Sequence, residues 1–232
     1  MYKTIVFAIF YLTVSANATL LPAQSIRHRG EVWGGYISSI RLNEKLSLWN
    51  DFHFVATSFF ASRHGLTYAP RPSIAITGGY AWVATATSFS DRLIRNEHRP
   101  WAQAVWRPAV AGKIGYQFRF RYDARWRQDV AGGEVLSDRI FYSRLRLMAR
   151  LRWPIRELAE GQQIHFDLMD EYLFNAGAQV RNGMDQNRLY LLLGYSKTKL
   201  SILGGYHWRA IPGPGRDFTF RHGCTIWVIH RI

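Results

Sequence analysis

The residues with the most chemistry to offer are arginines, and they recur at every second position. Residues 113–127 read KIGYQFRFRYDARWR, which puts Arg119, Arg121 and Arg125 on one parity with Asp123. Residues 141–153, FYSRLRLMARLRW, repeat the pattern with Arg144, Arg146, Arg150 and Arg152. Arg99, Arg188, Asp51, Glu97, Asp167 and Glu171 fall on the same parity of neighbouring segments, as do Glu31, Arg41, Arg209 and Arg221. A guanidinium is a planar, permanently charged fork of donors that grips a carboxylate or phosphate with two parallel hydrogen bonds. Ion pairing and anion binding are therefore the predicted chemistry. Asp51, Glu97, Asp123, Asp167 and Glu171 are the expected ion-pair partners. Arg99, Arg119, Arg121, Arg125, Arg144, Arg146, Arg150 and Arg188 are the candidate anion-binding groups. Arginine outnumbers acid on this face, more than a salt-bridged plug requires.

Other chemistry is poorly supported. Asp51 with His53, or His165 with Asp167 and Glu171, could move a proton, but an ordinary salt network accounts for the same residues. Lipid-acting barrels use a serine beside a histidine, and no His-x-Ser pair occurs. The eight histidines are scattered without metal-ligand spacing, and Cys224 is alone. The reading is of a non-enzymatic protein with no cofactor and no metal.

The opposite parity shows what must position these groups. Between residues 114 and 126 it holds Ile114, Tyr116, Phe118, Phe120, Tyr122, Ala124 and Trp126. A period of two is the mark of a β-strand whose faces meet different surroundings. The same alternation marks 31–42, 45–56, 73–84, 97–106, 141–153, 165–174, 187–196, 200–209 and 218–232. That makes about ten strands, separated by Gly, Pro, Asn and Asp punctuation. Residues 57–72 could be a loop, the start of a long strand or an extra short strand; Leu66, Tyr68, Ile74, Ile76, Tyr80 and Trp82 share one parity, which favours a continuous strand. Tight links at 107–113 and 196–199 alternate with longer ones at 85–96, 127–138 and 175–185.

The 232 residues suit one domain, with 48% hydrophobic and 15% aromatic residues and 9 Trp. Residues 1–18, MYKTIVFAIFYLTVSANA, have the layout of a secretory signal peptide, with a small-x-small cleavage site. Their removal takes Lys3 with it and lowers the formal charge from +14 to +13. Residues 19–30 then form a periplasmic segment and 31–232 the barrel. A soluble β-protein would turn its aromatic face inward and overfill a small interior. Turned outward, the rings face lipid, with Tyr36, Trp82, Trp106, Tyr116, Trp126, Trp153, Tyr195 and Trp208 as interfacial girdles. Trp33, Trp49, Trp101 and Trp227 fall on the inner parity, and Asn50 and Asp170 on the outer. The predicted fold is all-β, a closed antiparallel transmembrane β-barrel of about ten strands, with twelve as the alternative. Short periplasmic turns and longer extracellular loops complete it. Both chain ends are expected in the periplasm, hence the even number. Rings and arginines on opposite faces exclude a nucleic-acid groove, which needs both on one ligand.

NEHRPWAQAVW, YQFRFRYDARWR, DRIFYSRLRLMARLRWPI, FDLMDEYLFN and DQNRLYLLLGY, in that order, resemble a bacterial outer-membrane barrel family called domain of unknown function 2490. The resemblance spans roughly residues 31 to 230. It implies a Gram-negative outer membrane and brings no established activity. Implied partners are outer-membrane lipid, lipopolysaccharide and the barrel-assembly machinery. The chain departs from such barrels in ending on Ile232 rather than an aromatic residue. The expected function is structural, or the binding or passage of small anionic solutes. A ligand-binding or adhesive barrel acting through its loops is the alternative, and a rim hydrolase using His165 and Glu171 a weaker one.

Overall fold

The computed structural model describes residues 25–56, 58–87, 93–178, 180, 183–213 and 217–232. The expected signal peptide and residues 19–24 lie outside the described residues. No helix among the described residues is long and apolar enough to cross a membrane. The alternating segments become strands β1 (Ile26–Arg41), β2 (Leu46–Val55), β3 (Phe59–Arg71), β4 (Ile74–Ala86), β5 (Ile94–Trp106) and β6 (Gly115–Ala131). The chain continues through β7 (Glu134–Ala159), β8 (Gln162–Ala176), β9 (Met184–Lys197), β10 (Leu200–Pro212) and β11 (Phe218–Arg231). Each strand pairs with its sequence neighbours, and β1 meets β11 to close a barrel. Closure leaves no unpaired edge.

The strand number corrects the expectation of ten or twelve. The described residues form eleven strands, the added one being β3. Pro72 and Ser73 turn the chain between β3 and β4, so residues 59–86 are a hairpin rather than one long strand. Tyr68 pairs with Ile76 across that turn, which keeps the apolar parity unbroken and disguises the reversal. With an odd number of strands the first and last run the same way. β1 and β11 pair in parallel, from Ile26 with Phe218 to Ser39 with Arg231. Residues 26 and 231 therefore lie at opposite rims, here called the N-terminal and C-terminal rims. Residues 26–30, expected to precede the barrel, belong to β1.

The connections sort by rim. The links at 87–93 and 177–183 fall at the N-terminal rim, as expected of longer loops. The third expected loop, 127–138, is instead a hairpin extension. Strands β6 and β7 run on to a two-residue turn at Gly132 and Gly133, both with positive φ (61° and 82°). Two left-handed residues make the turn type whose twist matches the flanking strands. At the C-terminal rim, 160–161 and 198–199 are equally tight, whereas 107–114 is longer.

The faces separate as the alternation predicts. Phe120, Leu147, Leu193 and Ile226 are exposed on the outer wall. Trp82, Trp126 and Trp208 lie toward the N-terminal rim, and Trp106, Tyr116, Trp153 and Tyr195 toward the C-terminal rim. On β7, Phe141 packs at a tilt against Trp126 near one rim and Trp153 against Phe166 near the other. Twelve residues at a strand tilt of about 40° cover roughly 30 Å. The inward tryptophans pack on glycine. Trp49, Gly65, Gly79 and Trp101 follow one another around a single row, and the two indoles meet over the glycines at 5.0 Å. A Cβ on Gly79 would collide with the His64 carbonyl.

Val32 and Cys224 are parallel register partners on the outer wall. Val32→Cys is expected to form a disulfide with native Cys224 under mild oxidation, because adjacent strands bring Cα atoms within bridging range. Peptide mass spectrometry reads the link; an antiparallel closure of ten strands would not place these residues together.

Candidate functional site

The inner parity encloses a cavity of about 1100 Å³. Five carboxylates of its wall each hold two arginines. Glu97 on β5 accepts from Arg99 at 2.7 Å and from Arg125 of β6 at 2.5 Å. Asp123 accepts from Arg121 at 2.8 Å on its own strand and from Arg146 of β7 at 2.7 Å. Asp167 on β8 binds Arg150 and Arg152 of β7, the latter at 2.9 Å. Glu171 binds Arg119 at 2.7 Å and Arg188 of β9 at 3.4 Å. Glu31 on β1 accepts from Arg209 at 2.9 Å and Arg221 at 3.3 Å, tying β10 and β11 to the first strand. Asp51 is shared between Arg63 at 2.6 Å and His53. Every expected ion-pair partner is thus engaged. Each fork of one acid and two guanidiniums keeps one positive charge.

The candidate anion-binding arginines divide into two groups. Arg99, Arg119, Arg125, Arg144, Arg146, Arg150 and Arg188 line the cavity. Arg121 does not: it is 1% exposed, pinned by Asp123 and laid over Trp101 at 4.2 Å. Arg41, placed inside by parity, is exposed at the C-terminal rim, where its Nε donates to the Asn43 carbonyl. The chain bends away from the strand there, and parity no longer sets direction. The inward rings serve the same arginines. Trp33 lies under Arg188 and Arg209 at 5.0 and 5.1 Å, and Tyr142 under Arg125 and Arg127 at 4.4 and 4.8 Å. An aromatic face attracts a cation without neutralising it.

Several participants escape a reading of the sequence. Arg63 sits in the ambiguous stretch now assigned to β3. Asp185, at the end of an expected loop, binds Arg144 at 2.8 Å. Arg27, Arg29, Arg95, Arg107, Arg127 and Arg231 also line the cavity. Among the described residues, no carboxylate is within salt-bridge distance of any of these six. Buried donors are left over as well: Trp33 Nε1, Trp227 Nε1 and Arg95 Nε have no hydrogen-bond partner among the described residues. Unpaired cations and spare N–H groups in one cavity are a recognition surface for acceptors of negative charge.

Of the two proton-transfer sets, His165 and Asp167 are both fully buried, with Asp167 held by its arginines, whereas Asp51 and His53 are bonded to each other on the cavity wall. Thr225, His207 and Glu31 form a hydrogen-bonded chain at 2.8 Å per step, with Thr225 and His207 0% exposed. No group of three or more His, Cys, Asp or Glu among the described residues could hold a metal ion.

A family model described as a protein of unknown function matches residues 30–219. The chain belongs to the DUF2490 family. No curated protein and no solved structure matches it. The DUF2490 match begins within β1 and ends within β11, so it covers nearly the whole barrel wall.

Breaking one fork tests whether the interior depends on it. Asp123→Ala strands Arg121 and Arg146 in a buried site, and an uncompensated buried charge costs about 3–5 kcal/mol. A lower urea midpoint is expected, whereas Leu193→Ala on the exposed wall should leave the midpoint nearly unchanged.

Proposed function

We propose that this protein is a β-barrel of the Gram-negative outer membrane that admits small anions into an arginine-lined lumen, without catalysis there. The observation that carries the reading is the division of the wall: exposed apolar and aromatic side chains outside, two-arginine forks within. Water would drive those outer rings inward, while lipid accepts them and demands the closed hydrogen bonding that the barrel provides. The aromatic belts near the two rims support the same placement. Their separation of roughly 30 Å suits an apolar band of about 25 Å with a girdle on each side.

Anions are favoured because the cavity keeps its charge. Each fork contributes a net positive charge, and Arg95, Arg127, Arg107 and Arg231 add theirs without an acid partner among the described residues. In a low-dielectric channel such charges attract anions and exclude cations. Arg27 and Arg29, near the N-terminal rim, suit the phosphates of lipopolysaccharide in the same way. Export by a signal peptide and insertion by the barrel-assembly machinery complete the proposed route.

In planar bilayers under a potassium chloride gradient, the purified protein should give small steps with a reversal potential on the chloride side. Arg95→Gln combined with Arg127→Gln is expected to reduce the chloride preference severalfold while the barrel stays folded. A silent barrel, or one that prefers potassium, contradicts the proposal.

A further inference from the structure

On the outer wall, away from the arginines, five polar side chains form an island among rings. Ser38, Asn50, His64 and Tyr80 occupy one row across β1 to β4, and Ser62 lies one step along β3 from His64 on the same face. Ser62 Oγ is 2.9 Å from His64 Nε2, and His64 Nδ1 is 2.8 Å from Asn50 Oδ1. Asn50 Nδ2 donates to Ser38 Oγ at 3.4 Å. With the amide in this orientation, Nδ2 faces the Ser38 hydroxyl and Oδ1 faces the imidazole. An amide oxygen only accepts, so this arrangement pairs Oδ1 with a proton on His64 Nδ1 and turns the Nε2 lone pair to the serine hydroxyl. This is the tautomer a general base needs to take a proton from serine.

The surroundings name the substrate. Phe52 stands edge-on to His64 at 5.6 Å, and Trp82 is the register partner of Ser62. Leu48 and Leu66 are exposed in the row on the other side of the island. At Gly78, the partner of Leu66, a side chain would meet nothing within 4 Å, which leaves a shallow trough in the wall. Polar groups facing lipid are costly, and a wall needed only for anchoring would carry apolar residues here. Unlike Thr225 and His207 inside, His64 is exposed and Ser62 only half-buried.

The geometry points to a serine hydrolase site on the outside of the barrel, with Ser62 as nucleophile, His64 as general base and Asn50 as its positioning residue, acting on long-chain carboxylic esters of membrane lipids. Ser62 Oγ attacks the ester carbonyl carbon as its proton passes to His64 Nε2. The adduct collapses, the bond to the alcohol oxygen breaks, and His64 returns the proton to the departing alcohol, leaving the acyl group on Ser62. Water then adds to the acyl carbon and gives a proton to Nε2. The fatty acid leaves, and Ser62 Oγ recovers that proton. The order His-x-Ser is absent from the chain, but the reverse order Ser-x-His is present at 62–64, with the asparagine on the adjacent strand. The site shares the membrane placement with the anion reading but none of its residues.

The test is fatty-acid release by the folded full-length barrel in mixed detergent–phospholipid micelles, together with labelling by a long-chain fluorophosphonate and peptide mass spectrometry. Release and a phosphonyl adduct on Ser62 are expected. Ser62→Ala and His64→Gln should each lower release about 10³-fold or more, with folding checked by the migration difference between boiled and unboiled samples. Asn50→Leu should lose much of the activity, and Asn50→Asp should restore it, because a carboxylate oxygen also accepts from Nδ1–H. A folded wild-type barrel that takes no label at Ser62, or that releases no more fatty acid than Ser62→Ala, overturns the inference. The anion reading would stand after that result, since its measurement is the reversal potential.

Discussion

A carboxylate shared between two arginines is the interaction on which the interior rests. A guanidinium buried within the wall is costly to desolvate unless an acid holds it, and a one-to-one pair would leave no field. The shared acid makes burial tolerable and keeps a positive charge. It also binds strands to one another. Glu97 joins β5 to β6, Asp123 joins β6 to β7, and Glu171 reaches from β8 to Arg119 on β6 and Arg188 on β9. Glu31 crosses the closing seam to Arg209 and Arg221. The network therefore fixes the register of the wall from within, and the same bonds that hold the barrel set its electrostatic sign.

The outer wall obeys a different constraint. Its side chains have no partner layer in the molecule, so each exposed ring or leucine is a statement about the solvent. Trp126 against Phe141 and Trp153 against Phe166 mark two levels of that surface. The same surface carries polar pairs such as Tyr122 with Ser143 and Tyr206 with His222, and the longer bond chain from Ser38 through Asn50 and His64 to Ser62. Asp170, also on the outer parity, is buried and bonded by Asn187 at 2.6 Å. It lies near the middle of β8 rather than at a rim, where a charge on the apolar face would be expected. The two faces of one sheet thus carry separate chemistry, because side chains at successive positions never meet.

Much of this architecture is legible in the alternation of residue types. The pattern from Lys113 to Arg127 and from Phe141 to Trp153 separates the outer rings from the inner arginines, except that Tyr116, at the end of its strand, also borders the cavity. The acids on the arginine parity are expected to be bonded, and they are. The strand number is not legible, because a turn made by two residues preserves parity: Tyr68 and Ile76 look like one strand whether the chain continues or reverses. Arg63 is hidden in the stretch whose course that reversal leaves ambiguous, and Asp185 in one that reads as a connection. The indoles of Trp49 and Trp101 are out of place by parity alone, and it is Gly65 and Gly79 that make room for them. Ser62, His64 and Asn50 are polar residues scattered over two strands, and only register brings them together.

The most direct measurement uses tryptophans that the chain already holds on both faces. Trp101 and Trp106 lie on β5, the first buried within and the second exposed outside. Variants retaining only one of them, reconstituted in vesicles with brominated acyl chains, report which indole touches lipid. The account predicts strong quenching of Trp106 and little of Trp101. Equal quenching of both, or quenching of Trp101 alone, would contradict a barrel that is apolar outside and cationic within.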